Sequence, residues 1–162
     1  MFNAVLVGID GSGQTEGIVT IAADLARACG ASLHILCVVD PAYFLSKPDG
    51  RRPSEADEAD YPAAAMERES ADDLVHRVLL GLRQQKLSAE GSVVQGEAVE
   101  RILETASTLG CDAIVLGHRH LSWLGRLTER SVCREVLEKA SIPVLVVPSP
   151  DKAHPASSIR QG

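Results

Sequence analysis

Five short apolar runs alternate along this chain with longer amphipathic segments. The first run, residues 4–9, is continuously apolar, which is typical of a strand covered on both faces of a parallel sheet. We predict strands over residues 4–9, 33–39, 92–95, 113–116 and 142–147. Between the runs, apolar residues recur at the spacing of one helix face. This alternation predicts an α/β three-layer sandwich, with a five-stranded parallel sheet between two layers of helices.

Glycine and serine residues mark where four helices begin or end. Gly30 and Gly110 are placed to end the first and third helices, the second covers about residues 66–87, and Ser131 is placed to cap the fourth. We predict inward faces made by Ile18, Ile21, Ala22, Leu25 and Cys29; by Leu74, Val75, Val78, Leu79 and Leu82; by Val99, Ile102, Leu103, Ala106 and Leu109; and by Val132, Val136, Leu137 and Ala140.

The 162 residues suit one domain, which we predict to cover residues 1–148. Residues 41–62 interrupt the alternation with four prolines and an acidic cluster, and we interpret them as a long surface loop. A solvated loop is favoured there over a lid. The tail, residues 149–162, has no apolar periodicity and is predicted to be disordered.

Composition and charge exclude several classes of protein. The formal net charge of −6 disfavours a general nucleic-acid binder, because such domains usually present a strongly basic face. The four cysteines are scattered, which favours reduced core thiols in a cytoplasmic protein. The N-terminus has no basic region before its apolar run, and no run approaches the roughly 18 residues of a membrane span. We therefore expect neither a nucleic-acid partner nor a membrane.

Candidate chemistry lies where three predicted strands end, because open α/β sheets bind ligands outside the carboxyl ends of their strands. The first strand ends in Gly8-Ile9-Asp10, the second near Val38 and the fourth at Gly117. Asp10 can accept hydrogen bonds from a ribose or hold the metal of a nucleotide, although it can equally cap the next helix. The Val38 backbone can meet an adenine edge. Gly117, followed by a helix after Ser131, can present backbone N–H groups to phosphates.

Four segments in order along the chain resemble the universal stress protein family. They are AVLVGIDGS, DLARACGASLHILCVVD, VVQGEAVERILETASTLGCDAIVLGHR and SVCREVLEKASIPVLVVP. The resemblance covers nearly all of residues 2–148 and implies a sheet of order 3-2-1-4-5. It also implies a small stress-response regulator that is a homodimer through its last strands, here residues 142–147. Ile142, Val144 and Val146 would then lie at the dimer interface.

The family divides by a phosphate loop, Gly-x2-Gly-x9-Gly followed by Ser or Thr, and members that carry it bind ATP. In this chain the three glycine positions hold Gly117, His120 and Arg130, and Ser131 follows. Glycine matters where the backbone must approach a phosphate closely or adopt a positive φ. The substituting residues and the neighbouring Arg119 are basic or can become so, and arginine binds phosphate in bidentate fashion. Side chains can therefore replace backbone contacts that the loop has lost.

Two hypotheses follow from this loop. In the first, the protein is a regulator that binds ATP, with Mg²⁺, or another adenine nucleotide. The residues that would contact the nucleotide are Gly8, Ile9, Asp10, Val38, Gly117, Arg119, His120, Arg130, Ser131 and Val132. Asp10 would touch the metal only through the nucleotide, and no residue is positioned as a catalytic base, so hydrolysis would be slow at most. In the second, the cleft is empty and the dimer acts on an unidentified partner protein through residues 41–62 and 121–130.

Other kinds of site fit the sequence poorly. His118 and His120 form an H-x-H pair, but the sequence shows no further ligand near them. There is no G-x4-G-K-S/T loop, which excludes a Walker-type ATPase. Ser12 is not in a nucleophile elbow, because Asp10 rather than a glycine lies two residues before it. A phosphoacceptor receiver domain is excluded because Asp10 has no acidic neighbour and the last strand ends in Val147-Pro148.

Overall fold

The computed structural model describes residues 1–39, 68–118 and 132–148. The elements in these ranges are β1 (Ala4–Ile9), α1 (Thr15–Cys29), β2 (Ser32–Val39), α2 (Arg68–Gln84), β3 (Ala89–Gln95), α3 (Ala98–Thr108), β4 (Ala113–His118), α4 (Val132–Lys139) and β5 (Val144–Pro148). All neighbouring strands pair in parallel, in the order β3-β2-β1-β4-β5. The predicted fold class and strand order are confirmed. The predicted loop over residues 41–62 and the tail over 149–162 lie outside the described residues.

Two apolar cores hold the helices against opposite faces of the sheet. Odd-numbered residues of β1 and β2 face α1 and α2, and even-numbered residues face α3 and α4, because side chains alternate along a strand. The first core includes Val5, Val7, Ile9, Ile18, Ala22, Ala26, Leu33, Ile35, Cys37, Leu74, Val75 and Leu82. The second core includes Leu6, Leu36, Val38, Val99, Ile102, Ala106, Ile114, Leu116 and Val136. Complete burial of one such aliphatic side chain contributes about 1.5–3 kcal/mol.

The two outer strands differ from the predicted bounds. β3 begins at Ala89, three residues earlier than predicted, because Glu90 and Ser92 alternate with residues that face α2. A strand at the sheet edge does not need a continuous apolar run. β5 begins at Val144, so the prediction that Ile142 lies in the last strand is wrong. The intervening Pro143 has no N–H to donate to a strand partner.

Four residues predicted to face the core are exposed, in α1, directly after α3 and in α4. Ile21, Leu109, Val132 and Leu137 were predicted to face the core, but they are 41%, 46%, 39% and 50% exposed. α4 buries Val136, as predicted, together with Cys133, while α1 buries Ala23 and Ala26 beside the predicted Ile18 and Ala22. Small side chains allow α1 to lie close to the sheet. Ile21 lies about 100° around the helix from Ala22, at the flank of the buried face.

Asp112 fastens the beginning of β4 to the chain before β1. Its carboxylate accepts hydrogen bonds from the Asn3 backbone N–H at 2.8 Å, the Asn3 side-chain amide at 3.1 Å and the Ala4 N–H at 3.2 Å. The backbone bond from Asn3 is the main cause that lowers the pKa of Asp112. These bonds favour the ionised carboxylate, so they stabilise the fold above the ordinary aspartate pKa of about 3.9.

Replacing Asp112 with Ala is expected to lower the melting temperature at pH 7 by about 2–4 °C, the loss of roughly one hydrogen bond's net contribution. The difference from the wild type should shrink as the pH falls below about 4, because the wild-type carboxylate then becomes protonated and loses its preference for these donors. Thermal melts at pH 7 and pH 3 measure both effects. Asp73→Ala, at an exposed position of α2, is the matched control. An Asp112→Ala deficit of the same size at both pH values would contradict this explanation.

Candidate functional site

The carboxyl ends of β1 and β4 flank a crevice at the point where the strand order of the sheet reverses. β1 and β4 are neighbours in the sheet, but their following helices pack on opposite faces. α1 belongs to the first core and α4 to the second, so the helices that follow these two strands diverge to opposite faces of the sheet. In open α/β sheets this divergence is where ligands bind. We call the space beside Asp10, Val38 and Gly117 the crevice.

A tight turn carries the chain from β1 into α1. The Asp10 carboxylate accepts a hydrogen bond from the Ser12 N–H at 2.9 Å, and Gly11 has a φ of 75°. The Ser12 carbonyl then accepts from the Thr15 N–H at 3.0 Å, which begins the helix. The turn is therefore an Asx turn, in which an aspartate oxygen replaces a backbone acceptor. Asp10 stabilises this turn and also lies at the strand end that faces the crevice.

Val38 directs its backbone toward β1 at the end of β2. Ser32 donates its N–H to the Asn3 carbonyl beside β1 at 2.8 Å, whereas the Val39 carbonyl accepts from Gly96 beside β3 at 3.0 Å. Successive residues of a parallel strand form hydrogen bonds with alternate neighbours. The backbone N–H and C=O groups of the even-numbered residues in β2 therefore point toward β1. The register directs the Val38 carbonyl to the β1 side, one residue beyond the last β1–β2 pair at Ile9 and Cys37, while the Val38 side chain is buried in the second core.

Two glycines allow close packing at the crevice floor. A Cβ on Gly8 would lie 2.5 Å from Leu116 Cδ2, and a Cβ on Gly117 would lie 2.6 Å from Ile18 Cδ1 and 2.7 Å from Gln14 Oε1. All three distances are too short for a real Cβ contact. Glycine at these positions therefore lets Leu116, Ile18 and Gln14 pack directly against the backbone of β1 and β4.

Cys37 lies buried at the end of β2, beneath Asp10. Burial, together with the smaller effects of the negative charges of Asp10 and Asp72, raises the pKa of its thiol to about 11. A thiol with this pKa is protonated at neutral pH, which makes it a poor nucleophile and a poor metal ligand. Cys37 therefore belongs to the apolar floor of the site and does not supply chemistry.

The structure brings five of the predicted site residues to one edge of the sheet. Gly8, Ile9 and Asp10 end β1, Val38 ends β2 and Gly117 lies in β4, although the Ile9 side chain is buried and only its backbone can contact a ligand. Val132 begins α4. The remaining predicted residues, Arg119, His120, Arg130 and Ser131, lie outside the described ranges.

Sequence reasoning missed Gln14, which spans the crevice floor. Its side-chain amide donates a hydrogen bond to the His118 carbonyl at 2.9 Å, joining the start of α1 to the end of β4. Gln14 occupies the N-cap position of α1 without making a side-chain capping bond. Glutamine at a position that normally favours Ser, Thr, Asp or Asn was the available signal.

No group of three potential ligand residues that could hold a metal ion occurs among residues 1–39, 68–118 and 132–148. Nor does any helix in the part of the chain that the structure describes have the length and apolarity to cross a membrane.

The whole α/β unit matches a known family. The model of the universal stress protein family matches residues 1–148. The chain belongs to the universal stress protein family. Among the relatives of this universal stress protein, the stress response protein NhaX of Bacillus subtilis is 26% identical over 165 residues, covering 91% of this chain and 99% of the relative. A universal stress protein of Thermus aquaticus is 27% identical over 153 residues, with coverage of 91% and 99%.

A solved structure of a universal stress protein in complex with cAMP resembles this universal stress protein along most of both chains. The two share 25% sequence identity and superpose with a TM-score of 0.66, covering 90% of this chain and 97% of the other. The likeness therefore includes the sheet and the strand ends that form the crevice.

Proposed function

We propose that this universal stress protein is a small regulator that binds an adenine nucleotide in the crevice. The observation that carries the proposal is the meeting of Asp10, the Val38 carbonyl and the Gly117 backbone at one edge of the sheet. These three groups differ in chemistry, as the parts of a nucleotide do. The similar protein whose structure was solved with cAMP gives independent support for an adenine ligand.

Each part of the nucleotide has a matching group. The Val38 carbonyl can accept a hydrogen bond from the exocyclic amine of adenine, and the Asp10 carboxylate can accept from ribose hydroxyls. The backbone from Gly117 onward, with Arg119, His120, Arg130, Ser131 and Val132, would meet the phosphates. A triphosphate would carry Mg²⁺, with Asp10 reaching the metal only through the nucleotide. No residue is assigned to chemistry, so the protein responds to a nucleotide and hydrolyses it slowly at most.

We also propose that two copies pair through β5. This strand lies at the sheet edge, and Leu145 on it is 42% exposed. Ile142 and Val144 pack partly against the second core. In the dimer, the β5 backbones of the two subunits would pair with each other. Ile142, Val144 and Val146 would lie at this interface, where the first two also pack against the core of their own subunit.

The replaced glycines favour a second candidate function, a dimeric module with an empty crevice that acts on a partner protein. His120 and Arg130 stand where the ATP-binding pattern has glycine. The four cysteines are free thiols, three of them buried, which agrees with a reducing cytoplasm for either function.

The deciding experiment examines the protein for nucleotide directly. Freshly purified protein is denatured and the released small molecules are chromatographed, and the ligand-free protein is then titrated calorimetrically with AMP, cAMP and Mg-ATP. Co-purified nucleotide, or binding in the micromolar range, supports the nucleotide regulator. An empty protein that gives no heat with any of the three would retire this proposal and favour the partner-binding module.

Replacing both His120 and Arg130 with Gly is expected to weaken Mg-ATP binding about tenfold, because a charged hydrogen bond to phosphate would be lost. Affinity for adenosine, which has no phosphate, should stay unchanged and serves as the control ligand. Calorimetric titration of both ligands measures the difference. If the double substitution instead tightens ATP binding, the two side chains obstruct the loop rather than contact the phosphates.

A further inference from the structure

We infer that Gln14 is a positioning residue that holds the end of β4 against the start of α1 and so orders the phosphate side of the crevice. The inference rests on the proposed nucleotide site and names a residue that determines its shape. Gln14 follows the Asx turn at Asp10, and its backbone lies in a helical conformation with φ −83° and ψ −17°. Its own backbone position is thus fixed by the turn and by the first helical bond.

The Gln14 carboxamide lies across the Gly117-His118 backbone. Its nitrogen donates to the His118 carbonyl at 2.9 Å, and its oxygen lies 2.7 Å from the point that a Cβ on Gly117 would occupy. This hydrogen bond joins residues 104 positions apart in the sequence. It forms at the last residue of β4, just before the chain continues into the segment expected to meet the phosphates. The helices that follow β1 and β4 lie on opposite faces of the sheet, and the Gln14 side chain joins the start of the first of these helices to the last residue of β4.

The bridge has a clear consequence for binding. A ligand that uses both Asp10 and the chain after Gly117 needs those two segments at a fixed separation. If the bridge is absent, each segment must be ordered when the ligand binds, and that ordering reduces the affinity. Gly117 is required for the same reason, because any Cβ there would displace the Gln14 oxygen and the Ile18 side chain.

The variants Gln14→Ala and Gln14→Met test this role. Met keeps much of the side-chain length and adds no charge, but it cannot donate to the His118 carbonyl. Both variants should bind AMP and Mg-ATP about three- to tenfold more weakly than the wild type, the range expected for one neutral hydrogen bond. Backbone amide exchange near residues 117–118 should become faster. Gln85→Ala is the matched control, because this glutamine also makes a side-chain hydrogen bond, accepting it from Arg27, but lies after α2.

A double-mutant cycle with Gly117→Ala distinguishes loss of the Gln14–His118 hydrogen bond from a steric effect of the added Cβ. If Gly117→Ala acts by displacing Gln14, its effects on affinity and exchange should be smaller in the Gln14→Ala background than in the wild type. Unchanged affinity and exchange in Gln14→Ala, while the wild type binds nucleotide, would overturn the inference and leave the proposed function intact. If the wild type binds no nucleotide, faster exchange in Gln14→Ala still supports the bridge and the proposed function alone fails. Unchanged exchange in that case overturns both.

Discussion

Replacing Asp10 with Ala is expected to weaken adenine-nucleotide binding by roughly 100-fold, the upper range for loss of a charged hydrogen bond. The carboxylate would lose its bond to the ribose. The same change removes the acceptor for the Ser12 N–H at 2.9 Å, so the turn that leads into α1 would relax as well. Calorimetric titration with AMP, cAMP and Mg-ATP measures the loss.

Asp10→Asn separates the two contributions of this side chain. An asparagine oxygen can still accept from the Ser12 N–H and keep the Asx turn, but it lacks the charge. We therefore expect the Asn variant to melt like the wild type and to bind about tenfold more weakly. An Ala variant that binds as tightly as the wild type would show that Asp10 serves only the turn and that the ligand lies elsewhere.

Replacing Ile114 with Ala is expected to lower the free energy of unfolding by about 3 kcal/mol, within the range for a buried aliphatic side chain truncated to Ala. Ile114 is fully buried in the second core and pairs with Leu6 of β1 and Val144 of β5. Its backbone N–H also donates to the Pro143 carbonyl at 2.9 Å, which the substitution leaves in place. Urea denaturation therefore measures the effect of the side chain alone.

Ile114→Val is the graded control and should cost about 1 kcal/mol, because it removes a single methyl group. Leu80→Ala, at a position that is 45% exposed, should change stability little. A cost below about 1 kcal/mol for Ile114→Ala would mean that the space closes readily and that the second core is loosely packed.

The fold was readable from the sequence because its strongest signals are local. Continuous apolar runs mark buried strands, and all five strands begin within three residues of the predicted position. The largest difference is at β3, which begins at Ala89, and β5 begins two residues late, after Pro143. Gly30, which was predicted to end the first helix, does adopt a left-handed conformation with a φ of 69°.

The helix faces were harder to predict, because rotation of a helix by one residue changes the local pattern little. Leu137 and Cys133 lie one turn apart in α4, yet only Cys133 is buried. Which face of a helix is buried depends on how the helix packs against the sheet, and the strands it contacts are distant in the sequence. The same limit explains why Gln14 was missed, since its partner His118 is 104 residues away and no local motif connects them.

The four cysteine thiols of this protein differ in their accessibility to reagents. With its pKa raised to about 11, Cys37 beneath the crevice is ionised in only about one molecule in ten thousand at pH 7. Cys111 and Cys133 are also buried, and burial raises the pKa of both. Cys29, near the end of α1, is the only cysteine that is not buried. A maleimide dye therefore has one accessible target, at the opposite end of α1 from Asp10, where it can report on the protein without occupying the crevice.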